Sequence, residues 1–485
     1  MALSELLFLL GVGLEIGCIV IVLFFEHKNP SSTIAWILVL LMLPLVGIIA
    51  YMFLGSGFHV NKRKRYTIKV AVDEFFNSYL SKELRLSDFY RQMELHQEFG
   101  RMSRYLFSAG RSIYTEGNSA RVFTDGNDKF DALLADMEEA KHHIHLLYYI
   151  FTNDALGKKL LEVAERKARE GVVVRLLYDN VGNLLLPTFK FSDLTAAGGK
   201  SSPFAPMHFS LMSQLRVNYR NHRKIAVVDG VIGYVGGMNV GVEYLGEDKR
   251  LHPWRDTHLR LTGPAVWFLQ ERFLMDWFYA TDEGVEGYDI SKYFSTSFPK
   301  SPENLGVQIV SSGPDTTETA PIKGGFMEML YTAKQNVYIQ TPYFAPDQSF
   351  FDALQGASRA GVDVRIMLPL IGDHRIVHCA TLNYAREALA AGIRVFLYQG
   401  FLHGKTIVCD GKVASIGTAN ISNRSFYLNF EVNAFVYNED FARQQEQIFY
   451  NDMAHCVEIN EAWFASKPLP LLSLYKAARL IAPLM

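Results

Sequence analysis

Two histidine–lysine pairs carry the clearest chemical potential in the chain. His222 and Lys224 lie in Asn221-His222-Arg223-Lys224-Ile225-Ala226-Val227-Val228-Asp229, and His403 and Lys405 lie in Leu402-His403-Gly404-Lys405-Thr406-Ile407-Val408-Cys409-Asp410. Each copy reads His, any residue, Lys, four residues, Asp. Each continues with a Gly seven residues after the Asp (Gly236, Gly417) and an Asn three further on (Asn239, Asn420). One His-x-Lys is ordinary surface-strand sequence, but two copies with the same internal spacing point to a duplicated site. The residues after each Lys are rich in β-branched side chains, so each copy reads as a strand. Alternation then places His and Lys on one face. Asp229-Gly230 and Asp410-Gly411 read as tight turns into a second apolar strand, which makes each Asp a turn and support residue rather than a proton carrier.

Two such faces brought together hold two imidazoles, two ammonium groups and two carboxamides. Lys and Asn donors can grip the non-bridging oxygens of a phosphate diester and the charge that builds on them. A neutral imidazole can attack phosphorus, and a protonated one opposite can donate to the leaving oxygen. No His/Cys/Asp spacing of metal-ligand type accompanies the motifs, so a metal-free site is expected.

On these motifs the chain resembles the phospholipase D superfamily, whose members carry two His-x-Lys-x4-Asp motifs at one shared active site. The resemblance implies His222, Lys224, Asp229, His403, Lys405 and Asp410 as the catalytic set, a covalent phosphohistidine intermediate, and neither metal nor other cofactor. It also implies an acidic residue downstream of each motif that orients the histidine. Glu431, in Asn429-Phe430-Glu431-Val432-Asn433, follows His403 by 28 positions. Asp256, in Trp254-Arg255-Asp256-Thr257-His258, follows His222 by 34 positions, the stretch 243–253 accounting for the longer gap. Glu243 is the runner-up in that half. Asn239 and Asn420 complete the set as phosphate-holding or supporting residues.

The elements that must position these residues are themselves repeated. Lys141-His142-His143-Ile144-His145-Leu146-Leu147-Tyr148-Tyr149-Ile150-Phe151 matches Lys334-Gln335-Asn336-Val337-Tyr338-Ile339-Gln340-Thr341-Pro342-Tyr343-Phe344, and Glu170-Gly171-Val172-Val173-Val174-Arg175 matches Ala360-Gly361-Val362-Asp363-Val364-Arg365. Each half reads strand, helix, strand, helix, then the catalytic hairpin. Apolar runs alternating with amphipathic helices indicate α/β architecture with a mostly buried sheet. The expected fold is two pseudo-twofold-related phospholipase D-like α/β sandwich domains, residues 116–300 and 301–485, behind two N-terminal transmembrane helices. His143 and His145 share a strand face, as metal ligands would, but their repeat partners are Asn336 and Tyr338. The cluster therefore reads as structural. Tyr149-Ile150-Phe151 and Pro342-Tyr343-Phe344 end their strands at the expected rim of the pocket. The apolar insert 201–220 has no counterpart before His403, and reads as a segment that guides lipid chains or lies on the bilayer surface through Phe204, Met207 and Phe209.

The N-terminus differs from the rest. Residues 6–25 carry one charge, Glu15, and 34–54 carry none, with Pro44 inside. At 1.5 Å per residue each run matches a hydrocarbon core of ~30 Å. Lys62-Arg63-Lys64-Arg65 follows the second run, and by the positive-inside rule that end faces the cytoplasm. Residues 1–60 thus read as two spans, and 61–115 as a helical connector. The expected location is the bacterial cell membrane, multi-pass, with the catalytic domains on the cytoplasmic side. A net charge of −2 over 485 residues and two spans disfavour a nucleic-acid partner. Four scattered cysteines show no disulfide framework.

Over nearly its whole length the chain resembles bacterial cardiolipin synthases of the phospholipase D type. The resemblance rests on Asn29-Pro30-Ser31-Ser32-Thr33-Ile34-Ala35-Trp36, Asn218-Tyr219-Arg220-Asn221-His222-Arg223-Lys224, Gly236-Gly237-Met238-Asn239, Pro253-Trp254-Arg255-Asp256-Thr257-His258 and Ser312-Gly313-Pro314-Asp315. It implies reversible phosphatidyl transfer between two phosphatidylglycerols, giving cardiolipin and glycerol. A membrane-bound hydrolase, or a transphosphatidylase using another alcohol, is the alternative. One departure is Gly237, where the family's phosphate loop often has Ser; the second half keeps a hydroxyl at Thr418. The motifs leave oligomeric state open.

Overall fold

The computed structural model describes residues 3–24, 30–51, 99–183, 191–204, 219–281, 283, 290–295, 297–314 and 320–481. The N-terminal helices form one compact unit and the two catalytic halves together form the other. In the first unit, α1 spans Leu3–Phe24. The second apolar run, expected as one span, is two helices, α2 (Pro30–Met42) and α3 (Pro44–Ala50). Proline lacks an N–H and disfavours helical geometry in the residue before it, and Leu43 accordingly sits at φ −136°, ψ 65°. The chain folds back there: a Cβ on Gly47 would stand 2.7 Å from the Val39 carbonyl oxygen. Tyr51 meets Trp36 with ring centroids 5.4 Å apart. Among the described residues no helix is long and apolar enough to cross a membrane; the side chains of α1 are described from Leu10 on. Most of the expected connector, with its basic run, lies outside the described residues, and its end forms α4 (Gly100–Gly110).

The first half contributes β1 (Tyr114–Phe123), β2 (His143–Tyr148), β3 (Val173–Asp179), β4 (Lys200–Phe204), β5 (Ile225–Val228), β6 (Ile232–Gly236), β7 (Trp254–Arg255) and β8 (His258–Thr262). The second contributes β9 (Leu305–Ser312), β10 (Asn336–Gln340), β11 (Phe344–Ala345), β12 (Asp363–Pro369), β13 (Arg394–Tyr398), β14 (Phe401–Leu402), β15 (Thr406–Cys409), β16 (Val413–Gly417), β17 (Ile421–Ser422), β18 (Glu431–Tyr437) and β19 (Cys456–Ile459). Strand order is β1-β8-β6-β5-β2-β3-β4 in one half and β9-β18-β16-β15-β10-β12-β13-β19 in the other, the same arrangement with one added edge strand. β1 pairs antiparallel with β9. The two halves are thus the expected pair of repeated α/β domains, and their strands join in one 15-stranded sheet.

Parallel neighbours need crossover helices. α5 (Ala155–Arg169) links β2 to β3, and α7 (Gln348–Arg359) links β10 to β12. In α5, Leu156, Leu160, Leu161, Ala164 and Ala168 are buried, and Arg166, Lys167 and Arg169 lie in the last turn, as amphipathic spacing and the helix dipole favour. Asp154 and Asp347 cap these two helices by accepting the Gly157 and Phe350 amides at 2.9 and 3.0 Å. Between the two comes α6 (Ala265–Ala280), nearly wholly buried, which covers the opposite face of the first half's sheet. There Gln270 bonds His143 at 2.9 Å, Arg175 donates to His145 at 3.0 Å, and Phe273 stacks on His145. Burial holds His143 near a pKa of about 4 and His145 well below its usual value, so both imidazoles are neutral parts of the packing. Phe204 is also core, 3% exposed between the Tyr279 and Phe430 rings, and not a lipid-facing residue. Met207 and Phe209 lie outside the described residues.

Asp229 and Asp410 sit at the far ends of β5 and β15 in left-handed conformation, φ 53° each. Asp229 accepts the amides of Lys141, His142 and His143 at 2.8, 2.8 and 2.9 Å. Asp410 accepts those of Lys334, Gln335 and Asn336 at 2.8, 2.8 and 2.9 Å. Each carboxylate thus clamps the start of the neighbouring strand. Asp410→Ala leaves three donors without their acceptor and should cost about 2–4 kcal/mol. In thermal melts of the full-length protein in detergent, Tm should drop roughly 2–4 °C while kcat at low temperature stays near wild type. Unchanged melting with a kcat loss of about 10³-fold would instead make the Asp a participant in the chemistry.

Candidate active site

Each histidine is delivered by one half and braced by the other. The residues before β15 pair with the first half: β14 runs parallel to β7, and the His403 amide donates to the Arg255 carbonyl at 2.6 Å. The residues before β5 pair with the second half through the Asn221–Phe430 bridge, and the His222 amide donates to the Phe430 carbonyl at 2.9 Å. Main-chain pairing therefore sets each imidazole beside the carboxylate that follows the paired segment. Glu431 Oε2 lies 3.0 Å from His222 Nδ1, and Asp256 Oδ2 lies 2.6 Å from His403 Nδ1. The acids were expected to serve the histidines that precede them in sequence; they serve the opposite ones. Asp256, rather than Glu243, is the carboxylate against a histidine.

Both braces are themselves fixed. Glu431 Oε1 accepts from Ser425 at 2.8 Å and Asn429 at 3.2 Å. Asp256 Oδ1 accepts the Thr257 amide at 2.7 Å. A Cβ on Gly237 would fall 2.0 Å from Asp256 Oδ1, so the carboxylate occupies the space that a serine there would need. In the second half Thr418 fills the matching position, its hydroxyl bonded to the Val432 carbonyl and amide at 3.2 and 2.9 Å. A carboxylate on Nδ1 sets the tautomer and leaves Nε2 for the reaction.

Lys224 and Lys405 are anchored on their own motifs, donating to the His222 and His403 carbonyls at 2.7 and 2.5 Å. Burial lowers their pKa values to about 7 and about 8, against the pull of Glu431 on Lys224 and of Asp256 on Lys405. Burial pushes His222 to about 4, with Lys224 and Lys405 adding to the depression and Glu431 opposing it. Burial also lowers His403, with Lys405 and Lys224 adding to it and Asp256 opposing. Each lysine thus acts on the histidine of the other half as well as on its own, which places all four groups in one site. Glu431 and Asp256 lie below the usual carboxylate range because the histidines and lysines outweigh their burial.

Asn239 is tied into the scaffold, accepting the Ile150 amide at 3.1 Å and donating to the Tyr244 phenol at 2.5 Å. Asn420 Oδ1 is buried with no hydrogen-bond partner among the described residues. The walls are aromatic. Tyr149 lies 5.0 Å from the His222 ring, and Trp254, Phe401 and Tyr244 lie 5.4, 5.6 and 5.8 Å from that of His403. Tyr244 was missed because it falls in the stretch that looked like a mere spacer in the first half. Arg223, between the two motif residues, is fully buried and bonds Asp276 at 2.7 and 2.9 Å and the Glu431 and Ser312 carbonyls at 3.2 Å. A charged residue with no counterpart at Gly404 was the available signal for this cross-half tie.

The family described as "Cardiolipin synthase, PLD-like domain" matches residues 133–249 and 326–453. The chain belongs to the cardiolipin synthase family. Residues 14–56 also match a phospholipase D-nuclease N-terminal family. The chain is 41% identical over 472 residues to a cardiolipin synthase of Listeria monocytogenes serotype 4b (strain CLIP80459), covering 96% of each chain. It is 41% identical over 492 residues to the major cardiolipin synthase of Bacillus subtilis (strain 168), covering 100% of each. Phosphatidylserine synthase from Haemophilus influenzae Rd KW20 shares the fold at TM-score 0.60 and 14% identity, over 79% of this chain and 100% of that one.

The titrations fix a pH dependence. Since kcat/KM reports groups on the free enzyme, it should fall at low pH as His222 takes a proton near 4, and at high pH as Lys224 and Lys405 lose theirs near 7 and 8. A profile rising through pH 7–8 would show that the neutral amines are the working form. Stability runs the same way on the acid side. The unfolded chain protonates its histidines below 6.5, whereas folded His222 resists until about 4. Glu431 and Asp256 stabilise the folded state above the ordinary carboxylate range and lose that effect as pH falls. Urea midpoints should therefore decrease steadily from pH 6.5 downward, and less steeply in His222→Phe.

Proposed function

We propose that this family member condenses two phosphatidylglycerol molecules into cardiolipin and glycerol through a phosphohistidine intermediate. The crossed histidine–carboxylate pairs carry the chemistry; the full-length likeness to cardiolipin synthases supports the choice of lipid. His222 Nε2 attacks phosphorus, forming a P–N bond. The P–O bond to the headgroup glycerol breaks, and protonated His403 gives its proton to that oxygen. His403 then takes the proton of a headgroup hydroxyl on a second phosphatidylglycerol, whose oxygen attacks phosphorus and breaks the P–N bond. Both imidazoles are neutral in the unliganded site. An anionic diester raises the pKa of His403, and the Asp256 bond at 2.6 Å stabilises the resulting imidazolium. Lys224 and Lys405 offset the developing charge on the non-bridging oxygens, with Asn239 and Asn420 as supports. His222 and His403 are only 9% and 6% exposed, which favours a lipid alcohol over bulk water as the second nucleophile.

A bilayer location for the substrate agrees with the surface. In α1–α3, large apolar side chains such as Leu10, Leu14, Met42, Leu45 and Val46 are more than half exposed, a face suited to hydrocarbon. In the catalytic unit the loop after β12 presents Leu370 and Ile371, and the helix after it Ile376, to the outside. We read the N-terminal helices as a multi-pass anchor with the catalytic unit on the cytoplasmic side.

The test is a product assay with headgroup- and acyl-labelled phosphatidylglycerol in mixed micelles, chelator present and no metal added. Equal amounts of cardiolipin and free glycerol are expected. Phosphatidic acid and glycerol without cardiolipin would make the protein a hydrolase. His403→Ala should accumulate labelled phosphatidyl-enzyme and His222→Ala none, and the reverse pattern would exchange the two roles. Glu431→Gln should lower formation of the adduct by about 10²–10⁴-fold.

A further inference from the structure

The two halves diverge sharply at one place near the histidines. Tyr343 follows β10, whose last residue, Gln340, is registered against Thr406 beside Lys405. Asp373 lies in the loop that follows β12, the parallel neighbour of β10. Both loops leave the sheet at the carboxyl ends of parallel strands, where α/β folds gather their ligands. The Tyr343 phenol donates to Asp373 Oδ2, and the His374 amide donates to Oδ1 at 2.7 Å. The pair lies on the His403 side of the site: Phe344, the residue after Tyr343, pairs with Ile421, the residue after Asn420, and in the Asp373 loop Ile371 donates its amide to the carbonyl of Gly400, three residues before His403, at 3.3 Å. Asp373 keeps 22% of its side chain exposed and Tyr343 is half-buried, so a ligand can reach both.

The matching positions of the first half are Ile150 and Asn183. Ile150 has no polar side-chain atom. Asn183 spends its side chain on the scaffold, donating to the Tyr149 and Asp179 carbonyls at 2.9 and 2.7 Å and accepting the Phe151 amide at 2.9 Å. Among the described residues the site is thus duplicated for phosphate, while the positions matching this carboxylate–phenol pair in the first half carry neither group. A carboxylate repels phosphate oxygens and accepts hydrogen bonds only. Its complement is a donor such as a hydroxyl: Oδ1 retains a lone pair after the His374 amide bond, and Oδ2, bonded to the phenol, has beyond it only the exposed His374 imidazole at 3.8 Å among the described residues. The phenol, committed as a donor to Asp373, offers its oxygen as a further acceptor. Neighbouring acceptors on the side of the acid–base histidine match a vicinal diol.

We infer that Tyr343 and Asp373 form the subsite for the glycerol headgroup, binding the hydroxyl that does not react and so selecting a polyol over a simple alcohol. The inference rests on the transfer reaction proposed above, in which the leaving glycerol and the incoming headgroup use the same side of the site in turn. The pair is specificity-determining: it touches the alcohol and not the phosphorus.

The experiment gives the purified full-length protein phosphatidylglycerol in mixed micelles with glycerol and 1-propanol as competing soluble acceptors, using headgroup-labelled lipid to follow exchange with glycerol and acyl-labelled lipid to follow phosphatidylpropanol. Wild type should prefer glycerol per mole of alcohol. Asp373→Asn and Tyr343→Phe should each lower the glycerol-to-propanol ratio, about tenfold for loss of a hydrogen bond to a charged group, and raise KM for phosphatidylglycerol more than they lower kcat. A ratio unchanged in both variants, or transfer to both alcohols reduced by one common factor, overturns the assignment and leaves the pair as scaffold. Wild-type protein that transfers to neither alcohol and makes no cardiolipin overturns the transfer reaction itself, a result distinct from an unchanged ratio in working variants.

Discussion

The structure depends on the exchange of partners between its two halves. Neither half holds a complete catalytic pair: His222 comes with the carboxylate of Glu431, and His403 with that of Asp256. The exchange is imposed by the backbone, through two short parallel pairings that lock each motif's approach onto the segment leading to the other half's acid. Arg223 reinforces it, a fully buried cation shared between Asp276 of one half and main-chain carbonyls of the other. Removing one partner of such a buried group leaves the other charge unpaired, at a cost of several kcal/mol. The continuous sheet through β1 and β9 supplies the rigid frame on which this exchange is held.

The frame explains how so many ionisable groups share one buried place. Isolated, each lysine would be costly to bury. Here two carboxylates sit among two ammonium groups and two imidazoles, and each pKa reflects burial set against the opposing charges. The outcome is an unliganded site with neutral imidazoles and amines poised near neutrality. An arriving phosphodiester adds the negative charge that the lysines lack.

Much of this was legible in the sequence because duplication makes weak signals strong. The two His-x-Lys copies, the Gly and Asn beyond them and the repeated strands located the halves and the site. The turn role of Asp229 and Asp410 also followed from Asp-Gly chemistry, although the family pattern groups them with the catalytic residues; their oxygens accept amides at the start of the neighbouring strands, not the His222 or His403 rings. The exchange of acids was not legible. Distance along the chain suggests that Glu431 serves His403; the Asn221–Phe430 bridge gives it His222 instead, and the pairing of β7 with β14 gives His403 to Asp256. Pro44 announced a break that the apolar composition around it concealed. Phe204 looked like a lipid contact because an apolar insert and an apolar core strand have the same composition. Tyr244 was hidden in a stretch with no repeat partner.

Gly237 has a meaning for how such a chain can change over generations. Its missing side chain is the room that the Asp256 carboxylate fills, and that carboxylate steadies a histidine from the other half. A serine cannot be placed at this position by one substitution alone, since the brace of a distant motif would have to withdraw with it. Mutations in one half are therefore judged by the chemistry of the other. Two segments that began as copies have become mutually dependent, and neither is free to drift alone.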